Sequence, residues 1–141
     1  MKSGQSLYGY KKGIVFFLPS LVDAKRLHYE KWYQQQWCQE QGGRVEVVLA
    51  DRTRCDCLTQ IHAIEFDFGS KWAEAIGQAL YYGIQTGKKP GIVLILENQK
   101  DYKHWIRLNT TINHYNLPIQ TRIDRVGERD EGGRYHGQED F

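Results

Sequence analysis

The run Gly91-Ile92-Val93-Leu94-Ile95-Leu96 constrains the fold more than any other stretch of this chain. It is apolar without alternation, the pattern of a strand covered on both faces. Such a strand belongs in the middle of a sheet with helices packed on it. The neighbouring segments supply those layers. Ser70 is a reasonable N-cap for a helix that runs to Thr86 and stops at Gly87. A second helix is expected from Asp101 to Tyr115, and an edge strand from Leu117 to Val126. Upstream, Lys25 to Gln41 lacks Pro and Gly and reads as a first helix, ended by Gly42-Gly43. Between them lie Arg44–Leu49, Cys55–Thr59 and Ala63–Phe68, three strands joined by short connections and therefore an antiparallel meander. The order helix, three strands, helix, strand, helix, strand predicts an α/β sandwich on a mixed sheet, with residues 91–96 parallel to one of the meander strands.

The chain has 141 residues, enough for one domain, and 40% of them are hydrophobic, as in an ordinary globular protein. Its 19 basic and 17 acidic residues leave a net charge of +2, too even to announce a polyanionic partner, so any such partner would meet a local patch. The longest apolar runs fall short of the 18 residues a membrane helix needs.

Lys11 and Lys12 precede a short apolar run, with Val22 and Ala24 at the small-residue positions of a cleavage site. Residues 1–24 thus read as a secretory signal, which places the protein in the periplasm or outside the cell. The other reading is a buried first strand in a cytoplasmic protein. Residues 127–141 are Gly-rich, charged and without apolar periodicity, and read as a disordered tail, leaving a domain over residues 25–126. Cys38, Cys55 and Cys57 lack zinc spacing. A disulfide from Cys38 to one of the other two would suit an oxidising compartment, and Cys57 is the expected partner; three small buried thiols are the alternative. On a regular strand Cys55 and Cys57 share one face and Asp56 takes the other.

Period two places Glu65 and Asp67 on one face of the third strand and Ile64, Phe66 and Phe68 on the opposite, core face. Paired carboxylates repel unless a cation or donors neutralise them. Asp56, in mid-strand next door, stands near them, so three hard oxygen donors suggest Mg²⁺ or Mn²⁺. The plain alternative is a solvated face of an edge hairpin. On the following helix, Lys71, Glu74, Gln78, Tyr82 and Gln85 fall in one polar stripe, opposite Trp72, Ile76, Ala79, Leu80, Gly83 and Ile84. Two amides and a tyrosine on that stripe could bond to metal ligands or phosphate oxygens.

These residues resemble a known family. The Asp of the second strand, the acid-x-acid of the third and the Gln78-Ala79-Leu80-Tyr81-Tyr82 segment are similar to the PD-(D/E)xK nuclease superfamily, in particular its RecB-like and Holliday-junction-resolvase-like QxxxY members. Over residues 28 to 120 the chain also resembles a group of small bacterial proteins, many of them secreted. The resemblance implies a restriction-endonuclease-like αβββαβ core and metal-dependent hydrolysis of nucleic acid, DNA first. It implies that Asp56 and Glu65 hold Mg²⁺ or Mn²⁺, with Asp67 as a third acid. Asp67 stands where the family has its lysine, and Lys71, one turn into the helix, is the expected substitute. Gln78 and Tyr82 would position metal ligands or the nucleic-acid backbone. Glu30 resembles the accessory acid of the first helix, and Glu74 is a further accessory acid on the stripe. Lys88, Lys89, Lys100 and Lys103 are candidate phosphate contacts, and a solvated loop explains them as well. Two other outcomes follow from the same residues: a degenerate nuclease fold that only binds nucleic acid or protein, and a secreted interaction module stapled by Cys38 and Cys57.

Overall fold

A computed structural model describes residues 28–125; the expected signal segment (1–24) and tail (127–141) lie outside the described residues. Within them the elements are α1 (Glu30–Glu40), β1 (Arg44–Val48), β2 (Arg54–Leu58), β3 (His62–Phe68), α2 (Trp72–Thr86), β4 (Lys89–Leu96), α3 (Tyr102–His114) and β5 (Gln120–Arg125). The chain is an α/β protein with a five-stranded mixed sheet in the order β1-β2-β3-β4-β5. β1, β2 and β3 are the antiparallel meander. β4 runs parallel to both β3 and β5, so the apolar run is a central strand. Parallel neighbours need long crossovers, and α2 and α3 provide them.

Period two sorts the core into two layers. Ile64, Phe66 and Phe68 of β3 and Val93 and Ile95 of β4 pack with Tyr33, Trp37 and Cys38 of α1. Ile92, Leu94 and Leu96 pack on the other face with Ala75 and Ala79 of α2 and Leu108 and Ile112 of α3. Every residue from Ile92 to Leu96 is buried, which explains why that run carries no polar alternation.

Cys38 and Cys57 form a disulfide, with Cα atoms 5.8 Å apart, that ties the end of α1 to β2. A Cβ at Gly43 would lie 2.7 Å from the Cys38 sulfur and 2.8 Å from that of Cys57, so only glycine lets the turn into β1 close over the bridge. Gly87 ends α2 in the left-handed conformation, φ 66°, as its position predicts.

Four local expectations are corrected. Tyr29, at the front of α1, is extended and the helix starts at Glu30, later than the lack of breakers suggests. Ser70 does not cap α2; it lies inside a 3₁₀ turn, Gly69–Lys71, that leads into the helix. Cys55 and Cys57 do not share a face. Cys57 joins the α1 layer, whereas Cys55 packs with Ala63 and with Tyr82 of α2. The cause is a departure from regular pairing: β2 is registered with β3 only at Cys57↔Ile64 and Leu58↔Ala63, and then the strands part. Finally, Ile84 is not on the packed side of α2. It is 79% exposed, while Tyr82, assigned to the polar stripe, is 7% exposed.

Candidate active site in the fork between two strands

Where β2 and β3 part, the next ladder bond is replaced by a side chain. The Phe66 N–H donates to Asp56 Oδ2 at 2.9 Å. A backbone donor satisfied by a carboxylate fixes that carboxylate in the gap, facing the neighbouring strand. Beside it, all seven residues of β3 are buried, Glu65 and Asp67 included. At 5% and 4% exposed they do not lie on a solvated hairpin face.

The three acids act on one another and on Glu30 of α1. Burial first, and then the charge of Glu30, push Asp56 well above the usual carboxylate range, against the Phe66 bond that pulls it down. Burial and the adjacent Asp56 push Glu65 up as well. Burial and Glu30 raise Asp67 to about 7, with Lys71 acting in the opposite direction. The charges of four acids, from α1, β2 and β3, are thus felt together at the fork.

Helix α2 closes the fork from the sheet face carrying Ala63. The Tyr82 phenol is raised to about 12, mostly by burial and then by Glu65 and Asp56, with Gln78 acting in the opposite direction. Tyr82 of the QxxxY pair is thus within reach of the acids' charge, and Gln78 lies one turn before it on α2. The rest of the polar stripe is exposed. Glu74 is exposed, and its charge reaches Asp67. Gln85 is exposed and donates to the Tyr81 hydroxyl, which in turn donates to Asp51. Lys71 is exposed, and its charge is felt at Asp67. Of the expected phosphate-binding lysines, Lys88 is held by the Gln60 carbonyl at 2.7 Å, and Lys89, Lys100 and Lys103 are exposed.

One site residue escaped the sequence. Gln34 is 3% exposed and its Nε2 donates to Glu30 Oε1 at 3.1 Å. Glu30, Gln34 and Cys38 recur every four residues and so share one face of α1. A buried amide in a helix otherwise reading as polar gives no pattern of its own; the signal available was its i, i+4 spacing from both Glu30 and the disulfide.

The donor set suits a hard cation. Glu65 Oε2, Gln78 Oε1 and Gln34 Oε1 are buried with no hydrogen-bond partner among the described residues. Buried acceptors left in that state cost free energy that a cation or its waters would offset. Among the described residues no three His, Cys, Asp or Glu side chains are arranged to hold a metal by themselves. Mg²⁺ does not need three such side chains, since it keeps several waters and is held through one or two carboxylates.

No family model, curated protein or solved structure matches this chain, so the functional reading rests on the geometry of the fork and on the motif resemblance. Among the described residues no helix is long and apolar enough to cross a membrane.

Proposed function

We propose that the chain is a metal-dependent phosphodiester hydrolase acting on nucleic acid, DNA first, of the PD-(D/E)xK type. The observation that carries this reading is the burial of Glu65 and Asp67 beside the half-buried Asp56, together with unpartnered acceptors on Glu65 and Gln78. Apolar residues would be more stable there, and structural ion pairs do not account for acids surrounded by acids.

Asp56 and Glu65 would hold Mg²⁺ or Mn²⁺. Bound there, the ion supplies Lewis-acid stabilisation of phosphate charge and a water of lowered pKa. The Phe66 N–H keeps Asp56 oriented toward Glu65. Tyr82, held protonated by its surroundings, serves as a hydrogen-bond donor rather than an acid or base, and Gln78 orients it. Lys71 is exposed and its charge acts on Asp67, which stands where the family has its lysine. That departure at position 67 favours one second reading, a degenerate fork that binds nucleic acid without cutting it. The disulfide, together with the basic-then-apolar pattern of residues 11–24, supports an exported enzyme.

The test is cleavage of labelled single- and double-stranded DNA and RNA with Mg²⁺ or Mn²⁺. Asp56→Asn and Glu65→Gln should each lower the rate at least about a hundredfold, because a metal's contribution is several kcal/mol. Both variants should stay folded by circular dichroism. Binding without cleavage by the wild type would select the second reading.

A further inference from the structure

The sequence Lys100-Asp101-Tyr102-Lys103-His104-Trp105-Ile106-Arg107 interleaves bases and aromatics. Lys100, Lys103, His104 and Arg107 recur at i, i+3, i+4 and i+7, so the turn Gln99–Asp101 and the first half of α3 carry one basic stripe. Lys100, Lys103 and Arg107 are exposed, and the charges of Lys103 and Arg107 reach the half-buried His104 ring. The acid inside the stripe is committed elsewhere: Asp101 accepts from the Glu97 and Asn98 N–H groups at 3.0 and 3.3 Å.

The stripe adjoins the end of β3, the strand that lines the fork. A Cβ on Gly69 would lie 3.2 Å from His104 Cδ2, so α3 rests against the turn that follows directly on β3, the strand of Glu65 and Asp67. The ends of β3, β4 and β5 are level there, with Phe68 opposite Ile95 and Leu96 opposite Arg125. Ligands of open α/β sheets bind at this carboxyl edge. Tyr102, 45% exposed, stands on it with the Arg125 guanidinium carbon 5.9 Å from its ring centre. An exposed aromatic ring beside a guanidinium, next to a line of cations, is the equipment of a single-strand binding surface: bases stack on the ring and phosphates follow the charges.

We propose that this rim binds a single strand of nucleic acid and leads it to the fork. The inference rests on the hydrolase reading and adds the substrate class: a single strand or frayed end, in preference to intact duplex. Duplex recognition would need an element that enters a groove, whereas Tyr102 offers a platform that only an unstacked base can reach.

Fluorescence anisotropy of a labelled oligothymidylate and of a duplex of equal length, both in EDTA, separates binding from cleavage. The wild type should bind the single strand about tenfold more tightly than the duplex. Tyr102→Ala should weaken single-strand binding about tenfold and Tyr102→Phe should restore it, the range expected for one stacked base. Lys103→Ala with Arg107→Ala should reduce the salt-dependence slope by about 1.4, or roughly 0.7 for each phosphate contact removed. All three positions are exposed, so unchanged melting is the folding control. If the variants bind as the wild type does, or if duplex binds as well as single strand, the rim assignment is wrong while the hydrolase reading stands. If the wild type neither binds nor cuts any nucleic acid, the hydrolase reading fails and the rim with it.

Discussion

Asp67 is the residue that most separates this site from the motif it resembles, and it makes the protein's stability depend on pH. Its carboxyl is raised to about 7 by burial and by Glu30, against an ordinary value of 3.8. The folded state therefore holds a proton that the unfolded state releases. Stability is greatest below about pH 4 for this group and falls as pH rises toward 7, the reverse of a salt-bridged carboxylate. In EDTA, the melting temperature at pH 5 should exceed that at pH 8 by about 4 °C or more, the shift 1 kcal/mol produces in a domain of this size. Asp67→Asn should flatten the dependence, and saturating Mg²⁺ at pH 8 should raise the melting temperature by linkage. A melting temperature that rises from pH 5 to pH 8 would contradict the description of the fork. Asp56 has a second role that its neighbours lack, since it satisfies the Phe66 N–H. Asp56→Asn keeps an acceptor, whereas Asp56→Ala strands a buried donor and should cost a further 1–3 kcal/mol or so in denaturant melts.

At the scale of elements, α1 matters to the site because one face carries Glu30, Gln34 and Cys38. The bridge to Cys57 clamps that face beside Asp56, across a sequence separation of 19. Loss of a loop closure of that size costs about 3 kcal/mol. Cys38→Ser with Cys57→Ser should show that loss in denaturant unfolding. Helix α2 sets the limit on what could be read from sequence. Its apolar residues mark a helix with one packed side, and the polar residues marked a stripe, but neither pattern locates the boundary between them. Ala75 and Ala79 are small enough to let the helix approach the sheet, and that approach rotates Tyr82 inward and Ile84 outward. Ile84→Lys should therefore change stability by no more than about 0.5 kcal/mol, while Ala79→Leu should cost 1–3 kcal/mol or so by overpacking. The meander, the central strand and the bridge were legible because each follows from a period, a connection length or a cysteine count. The parting of β2 from β3 was not, since Arg54-Cys55-Asp56-Cys57-Leu58 alternates as a regular strand would. The break that turns Cys55 toward Tyr82 is a tertiary event, decided by the carboxylate of Asp56 taking a backbone donor from β3.

On the scale of the whole molecule, the sheet divides labour between its two halves. The antiparallel half, with α1 and the disulfide, holds the acids in a gap. The parallel half supplies the apolar support and, at its carboxyl edge, the cations of α3. Helix α2 crosses between them and brings Tyr82 to the gap, against Cys55 and Ala63. This arrangement has a direct test in a crystal structure of the protein soaked in Mn²⁺, read from the anomalous difference map. The predicted result is one strong peak between the carboxylates of Asp56 and Glu65, with Mn–O distances near the roughly 2.0–2.1 Å of an octahedral divalent site, and no such peak in Glu65→Gln. A map with no Mn²⁺ in the fork at saturating concentration, or with the ion bound elsewhere while cleavage persists, would contradict the account.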